Sequence, residues 1–264
     1  MENSGVARLF PAGTRFVRLF EESRDAALPG WDDAGMRLCK SRSRGRAVCG
    51  NGVFLKEYVY KSLWERFRRR FMPLRPFISL DAARRLAALG IPTPRVLAAA
   101  RGIAPDGAIR DLLVTAELPA DARFGDEIAS ELGEGRAALA CELAPVVCRM
   151  HEGGLIHGDL SMRNWYRLPD GAWGLIDLDG ANLSLGGVSV RARADELARL
   201  ASSCFVCATR AEDGAAEFRK FISAFSEAYE AAGGIPVAGR RFEARSRALA
   251  DRFRVKYLNM GALE

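Results

Sequence analysis

The sequence predicts an α+β fold in two lobes: a small antiparallel sheet carrying one helix, then a larger, mostly helical lobe. Three observations carry that expectation. Short strand-like runs broken by glycine turns, above all Gly50-Asn51-Gly52, fill the first part of the chain. Apolar residues at helical spacing dominate the later part, beginning with Leu139, Leu143, Val146 and Met150. Between the helical patterns, Leu155–Asp179 reads as loop, strand, tight turn, strand, because aromatic and branched residues flank Pro169-Asp170-Gly171. The lobes are expected to span 1–118 and 119–264.

Composition sets the bounds. A chain of 264 residues with 49% hydrophobic content can bury a full core and is not a disordered protein. No apolar run is long enough to span a bilayer and no signal-peptide core opens the chain, so a cytoplasmic location is expected. Six cysteines without a secretion signal read as free thiols, and the lone Cys204-Phe205-Val206-Cys207 reads as core packing rather than a zinc site. The net charge of +6 favours anionic partners without choosing among them.

The elements follow in order. Residues 1–30 offer Phe10, Phe16, Val17, Leu19 and Phe20 for packing on the first lobe, with no further role assigned. Gly35–Lys40, Ala47–Cys49 and Val53–Tyr58 form a three-stranded meander, with Gly45 in the first turn and Lys56 inside the last strand. Tyr60–Pro76 interleaves Leu63, Trp64, Phe67 and Phe71 with Arg66, Arg68, Arg69 and Arg70. That suits either an interfacial segment on anionic lipid or an amphipathic helix packing its apolar side on its own lobe. Ile78–Leu89 is a short helix with Ser79 as N-cap, Asp81 in its first turn and Gly90 as its stop. Strands at Arg95–Ala100 and Leu112–Thr115 lead to Glu117-Leu118-Pro119, where a connection between lobes would fall.

The helix through Met150, with a kink expected at Pro145, feeds straight into Leu155–Asp179. A glycine-rich loop, Gly180–Val190, is expected on the substrate side. Helical patterns then cover about Arg193–Ala208, Asp213–Ala232 and Arg240–Leu258.

The chemistry concentrates in LIHGDLSMRNWYRLPDGAWGLIDLD. A hairpin through its middle would bring Asp159 and Asn164 at one end close to Asp177 at the other. Phosphoryl transfer needs a carboxylate to accept the proton of an attacking hydroxyl, plus an amide oxygen and a second carboxylate to hold Mg²⁺ on nucleotide phosphates. The kinase catalytic loop has the form H-x-D-x-x-x-x-N followed by a metal-binding Asp, and here it is HGDLSMRN followed by IDLD. The HGD and IDxD variants resemble the small-molecule and sugar kinases of the protein-kinase-like fold. Lys56 matches the strand lysine that binds the α- and β-phosphates, and Gly45 can let the backbone approach phosphate. Asp159 supplies the base, so His157 reads as a brace for the loop and His151 as a helix-end residue.

Several further stretches together resemble the lipopolysaccharide kinase family, which includes the bacterial Kdo and core-heptose kinases. They are GVFLKEY, YKSLWERFRRRF, LAALGIPTPRVLA, LLVTAEL, LIHGDLSMRNW, GLIDLDGA and RARADELARLASS. HGDxxxxN and IDxD are shared with aminoglycoside and choline kinases, whereas the FLKxY, basic-aromatic and GIPTP order is more specific. The resemblance implies a bilobal protein-kinase-like fold, ATP and Mg²⁺ as cofactors, and phosphorylation of an inner-core sugar hydroxyl on a lipid A-linked acceptor. It implies Asp159 as base, Asn164 and Asp177 as metal ligands, Lys56 as the phosphate lysine and the hinge at Glu117 and Leu118 as the adenine site. It also implies a peripheral place on the cytoplasmic face of an anionic inner membrane, with no nucleic-acid partner. The helix residue that usually pairs with the lysine is a Glu; Ser79 falls near that place, and Asp81 is the helix's one acid. A soluble kinase of the aminoglycoside or choline type and a non-catalytic nucleotide-binding scaffold are the alternatives.

Overall fold

The computed structural model describes residues 5–23, 28–42, 45–132, 136–207, 214–236 and 248–249. Its first strand, β1 (Arg15–Glu21), comes from the opening segment to which the sequence assigned no role. β2 (Arg37–Arg42), β3 (Gly45–Gly50) and β4 (Val53–Tyr60) form the expected meander. The turn between β3 and β4 holds three consecutive residues at positive φ, Gly50 at 145°, Asn51 at 51° and Gly52 at 75°, which is why glycine and asparagine occupy it. A side chain on Gly50 would also place a Cβ 2.1 Å from the Gly35 carbonyl oxygen.

Two helices follow where one was expected: α1 (Leu63–Arg70) and α2 (Arg75–Ala88). The strands β5 (Val96–Ile103) and β6 (Ile109–Ala116) complete an antiparallel six-stranded sheet of order β1-β5-β6-β4-β3-β2. Strand alternation gives the sheet two faces. On one face Val48, Leu55, Ala98, Ala100, Leu112 and Val114 pack against Val6, Leu9, Phe10, Leu28 and Trp31, so the opening segment covers that face. Lys56 lies on the other face, in register with Ala47 and Leu113.

α2 begins at Arg75, earlier than the sequence suggested, because Pro76 suits a helix's first turn. Ser79 is therefore buried inside the helix rather than capping it, with its hydroxyl unpartnered. Asp81 falls in the second turn and is exposed, so it does not serve the positive helix end. The helix stops as expected, with Gly90 at φ 67° and Ile91 N–H donating to the Leu86 carbonyl at 2.9 Å.

The contacts divide the chain into two units, residues 1–84 with 94–120, and residues 85–93 with 121–264. The second unit opens with β7 (Arg123–Phe124) and α3 (Gly125–Glu131). α4 (Arg136–Glu152) then runs on through Pro145. β8 (Leu155–Ile156) leads into the loop and the hairpin β9 (Trp165–Arg167) and β10 (Trp173–Leu175), followed by β11 (Asn182–Leu183). α5 (Val190–Cys207) and α6 (Gly214–Ala231) form next. Phe221, Phe225 and Tyr229 of α6 are buried, and the Tyr229 hydroxyl lies 2.8 Å from His151 Nδ1 on α4. The third helical pattern, 240–258, lies almost wholly outside the described residues. Cys39, Cys49, Cys141, Cys148 and Cys204 are free thiols; those of Cys39 and Cys49 share a hydrogen bond across β2 and β3 at 2.6 Å.

Candidate active site

The hairpin closes as its spacing requires, with Trp165 opposite Leu175 and Arg167 opposite Trp173. Closure continues past the ladder, since Ile176 N–H donates to the Asn164 carbonyl at 2.9 Å. Asp177 is thereby fixed next to Asn164. Asn164 in turn folds back, its Nδ2 donating to the Asp159 carbonyl at 2.8 Å. The three residues that the motif singled out are thus tied together within one unit, by one main-chain bond and one side-chain amide bond to a main-chain carbonyl.

Each of them has a distinct setting. Asp159 is half-exposed, and its Oδ1 accepts from Arg199 Nη1 at 2.8 Å. Asn164 is buried, and with Nδ2 committed to Asp159 its Oδ1 is the atom left to face a cation. Asp177 is exposed and held at φ 62°, ψ 54°, a left-handed conformation that Asp tolerates better than most residues. The described residues hold no cluster of three or more His, Cys, Asp or Glu suited to a metal. One or two carboxylates with an amide oxygen nonetheless fit Mg²⁺, which keeps water and takes its other ligands from phosphate.

His157 braces this loop, as the sequence suggested. Its Nε2 donates to the Ile176 carbonyl at 2.9 Å, and its Nδ1 faces the Asp159 N–H at 3.3 Å, so the proton sits on Nε2. His151 belongs to a buried chain. Arg193 donates to the Tyr229 hydroxyl, Tyr229 to His151, and His151 to Glu196. Burial pushes the Tyr229 phenol up to about 12, so it stays a donor well above neutral pH.

The sequence reading missed Glu196, Arg199 and Ser203. They stand at helical positions i, i+3 and i+7 of α5 and line one face. Glu196 Oε2 accepts His157 N–H at 3.1 Å, and its Oε1 accepts Gly158 N–H at 2.7 Å. Ser203 Oγ accepts Met162 N–H at 2.9 Å. One helix face therefore holds the loop at several successive points. The available signal was three polar residues spaced through an otherwise apolar stripe, RARADELARLASSC.

Gly158 explains why the loop reads HGD. Its φ is 82°, and a Cβ there would lie 2.1 Å from the Gly180 carbonyl oxygen. Strain and overpacking cost about 1–3 kcal/mol each. Gly158→Ala is thus expected to lower the melting temperature by at least about 4 °C and to displace Asp159. Unchanged melting and turnover in this variant would remove the close approach as the reason for the glycine.

The remaining expected site residues belong to the other unit. Lys56 lies mid-strand in β4 with its Nζ 5.1 Å from the Tyr58 ring centre. Asp81 is not its partner: exposed in the second turn of α2, it makes no ion pair among the described residues. Gly45 sits in β3, where a Cβ would come 2.3 Å from the Glu57 carbonyl oxygen, so sheet packing alone already demands glycine. Arg46, next to it, is held by Glu57 at 3.3 Å and stacks 4.0 Å over Trp31. Glu117 N–H is spent on the Gly52 carbonyl at 2.9 Å. Leu118, half-buried, follows directly after it. Two hollows of the second unit lie around Arg167 and Gly171 and are lined by none of Asp159, Asn164 or Asp177.

Comparison with known proteins fits this geometry. A solved structure of WaaP in complex with acyl carrier protein is 22% identical, with a TM-score of 0.54 over 83% of this chain and 88% of that one. That likeness shows a kinase-like α+β fold. A crystal structure of WbdD is 14% identical, with a TM-score of 0.47 over 80% of this chain and 49% of that one. No curated protein matches the chain significantly. A family model, the lipopolysaccharide kinase (Kdo/WaaP) family, matches residues 39–225. With the HGD loop, its asparagine and the IDLD carboxylate brought into one place, the chain belongs to the lipopolysaccharide kinase (Kdo/WaaP) family and is a kinase.

Proposed function

We propose that the protein transfers the γ-phosphoryl group of ATP to a sugar hydroxyl of the lipopolysaccharide inner core, on Kdo or heptose carried by lipid A. The observation that carries this reading is the bond pattern tying Asp159, Asn164 and Asp177 together, at 2.8 Å and 2.9 Å. In it Asp159 accepts the proton of the attacking hydroxyl, and the His157 and Glu196 bonds hold the main chain so that the carboxylate need not reorganise. Asn164 Oδ1 and Asp177 would hold Mg²⁺, which when bound neutralises phosphate charge. Lys56 would contact the α- and β-phosphates, with Gly45, Glu117 and Leu118 around the nucleotide. A soluble kinase for cationic acceptors fits less well, because Arg199 beside Asp159 repels a cation. A scaffold without catalysis is disfavoured by the presence of Lys56, Asp159, Asn164 and Asp177. Mass spectrometry of lipid A-core from cells with and without the gene tests the reading. One missing phosphate is expected, and an unchanged core refutes it.

The same reading places the enzyme at the cytoplasmic face of an anionic membrane, and α1 supports this. Leu63, Trp64, Phe67 and Phe71 are 60–78% exposed. The inward side is basic instead: Arg69 stacks 4.7 Å from Tyr60, and buried Arg101, paired with Asp111, donates to the Arg69 carbonyl at 3.0 Å. So the helix does not pack its apolar side on its own lobe, and Arg69 is not free for lipid. No helix among the described residues is long and apolar enough to cross a membrane. The apolar face is expected to dip into the interface, with Arg68, exposed, adding attraction to anionic lipid. Changing Trp64, Phe67 and Phe71 to serine should weaken co-sedimentation with anionic vesicles at least about tenfold. Unaltered sedimentation defeats the membrane role. Retention of acyl carrier protein, with which WaaP has been solved in complex, by this face instead would assign it to a protein.

A further inference from the structure

The Arg199 guanidinium is the one charged group that α5 delivers directly onto the Asp159 carboxylate. Its side chain is 36% exposed, and that of Asp159 is 50% exposed. Arginine carries donors on Nε, Nη1 and Nη2 in a planar fork. Only Nη1 is engaged, by Asp159, and the other donors have no partner among the described residues. The ion pair does not build the fold. The helix is held to the loop by Glu196 and Ser203 on either side, both through main-chain N–H groups. A structural arginine normally spends several donors; this one spends one, on a side chain that is partly exposed beside Asp159.

We propose that Arg199 selects acceptors that carry an anionic group, carboxylate or phosphate, next to the reacting hydroxyl. The proposal rests on Asp159 being the base. If the attacking hydroxyl donates to Asp159, the guanidinium lies within a hydrogen-bond length of the same carboxylate. Whatever sits beside that hydroxyl on the sugar meets Arg199. An anion there is recognised by a fork of N–H donors with charge assistance. A neutral sugar leaves those donors on water, and an ammonium is repelled. The exposed Arg163 in the same loop adds positive charge to the approach. Arg199 then has two successive partners, Asp159 without acceptor and the acceptor's anion with it, so that binding of the correct sugar also loosens the arginine's hold on the base.

Steady-state kinetics test this with four water-soluble probes: Kdo methyl glycoside, its neutral methyl ester, a heptose methyl glycoside and the same glycoside bearing a phosphate. On the wild type, a carboxylate selector prefers the Kdo acid over its ester, and a phosphate selector prefers the phosphorylated heptose over the plain one. In either case the acceptor KM differs by at least about tenfold, the size of one charge-assisted contact. Arg199→Gln should abolish that preference by raising KM for the anionic acceptor alone, with KM for ATP unchanged, and Arg199→Lys should restore part of it. Equal KM values within both probe pairs on the wild type would overturn the proposal without any variant having to fold. A fall in kcat on all acceptors alike in Arg199→Gln would also overturn it, leaving Arg199 as a positioning residue for Asp159. Failure of the underlying kinase reading looks different: the wild type would then phosphorylate none of the four.

Discussion

Replacing Asp159 with asparagine is expected to cut turnover by roughly 10²–10⁴-fold or more, while nucleotide binding and fold are kept. The charge is the only thing lost. Asn164 bonds chiefly the main-chain oxygen of residue 159, at 2.8 Å, and reaches its carboxylate Oδ2 only at 3.5 Å, a contact that an asparagine Oδ1 can also accept. The loop's shape therefore survives the change. The ion pair to Arg199 joins two part-exposed side chains, and such pairs contribute only about 0–1 kcal/mol. What disappears is the carboxylate proposed to take the hydroxyl proton. Turnover is measured with ATP and a lipopolysaccharide acceptor, and nucleotide binding by calorimetry. Near wild-type turnover would remove Asp159 from the base role and, with it, the proposal for Arg199.

Asp177→Ala should abolish the Mg²⁺-dependent part of ATP binding. A hard cation needs oxygen ligands, and alanine offers none. Alanine at φ 62° also carries a backbone penalty of about 1–2 kcal/mol, so a second variant separates the two effects. Asp177→Asn tolerates the left-handed conformation and keeps one oxygen but loses the charge; it should weaken Mg²⁺-dependent binding without unfolding the loop. Asn164→Ala should weaken it too, because Oδ1 is the amide atom left for the metal once Nδ2 holds Asp159. Titrations of ATP with and without Mg²⁺ decide the matter, and the same Mg²⁺ increment in wild type and Asp177→Ala would defeat the assignment. In the same titrations Lys56→Ala should lower affinity while keeping a Mg²⁺ increment, since its role is toward phosphate.

The active loop was legible because its information is local. HGDLSMRN, a Pro-Asp-Gly turn and IDLD specify a hairpin whose closure brings Asn164 to Ile176, and two-residue alternation fixes the register. The Gly50-Asn51-Gly52 turn and the stop at Gly90 were readable for the same reason, as each needs positive φ at a known place. Other features depend on what lies opposite. β1 is an edge strand whose residues are mostly exposed or half-buried, so its short apolar run gave no alternating signal. α2 was read from Ser79 because serine is a good cap, but the packing of the helix placed that residue inside it and left Asp81 exposed without Lys56 as a partner.

The sequence by itself thus determined the two-lobed α+β class, the closeness of Asn164 to Asp159 and Asp177 in one hairpin, and the family resemblance. It could not determine which face of α1 is turned inward, because periodicity separates two faces without saying what each one meets. It could not reveal that Glu196, Arg199 and Ser203 clasp residues about forty positions earlier, since a polar residue on a helix looks the same whether it meets water or a loop's N–H groups. Only the tertiary structure decided those contacts, because they depend on packing between segments far apart in the chain.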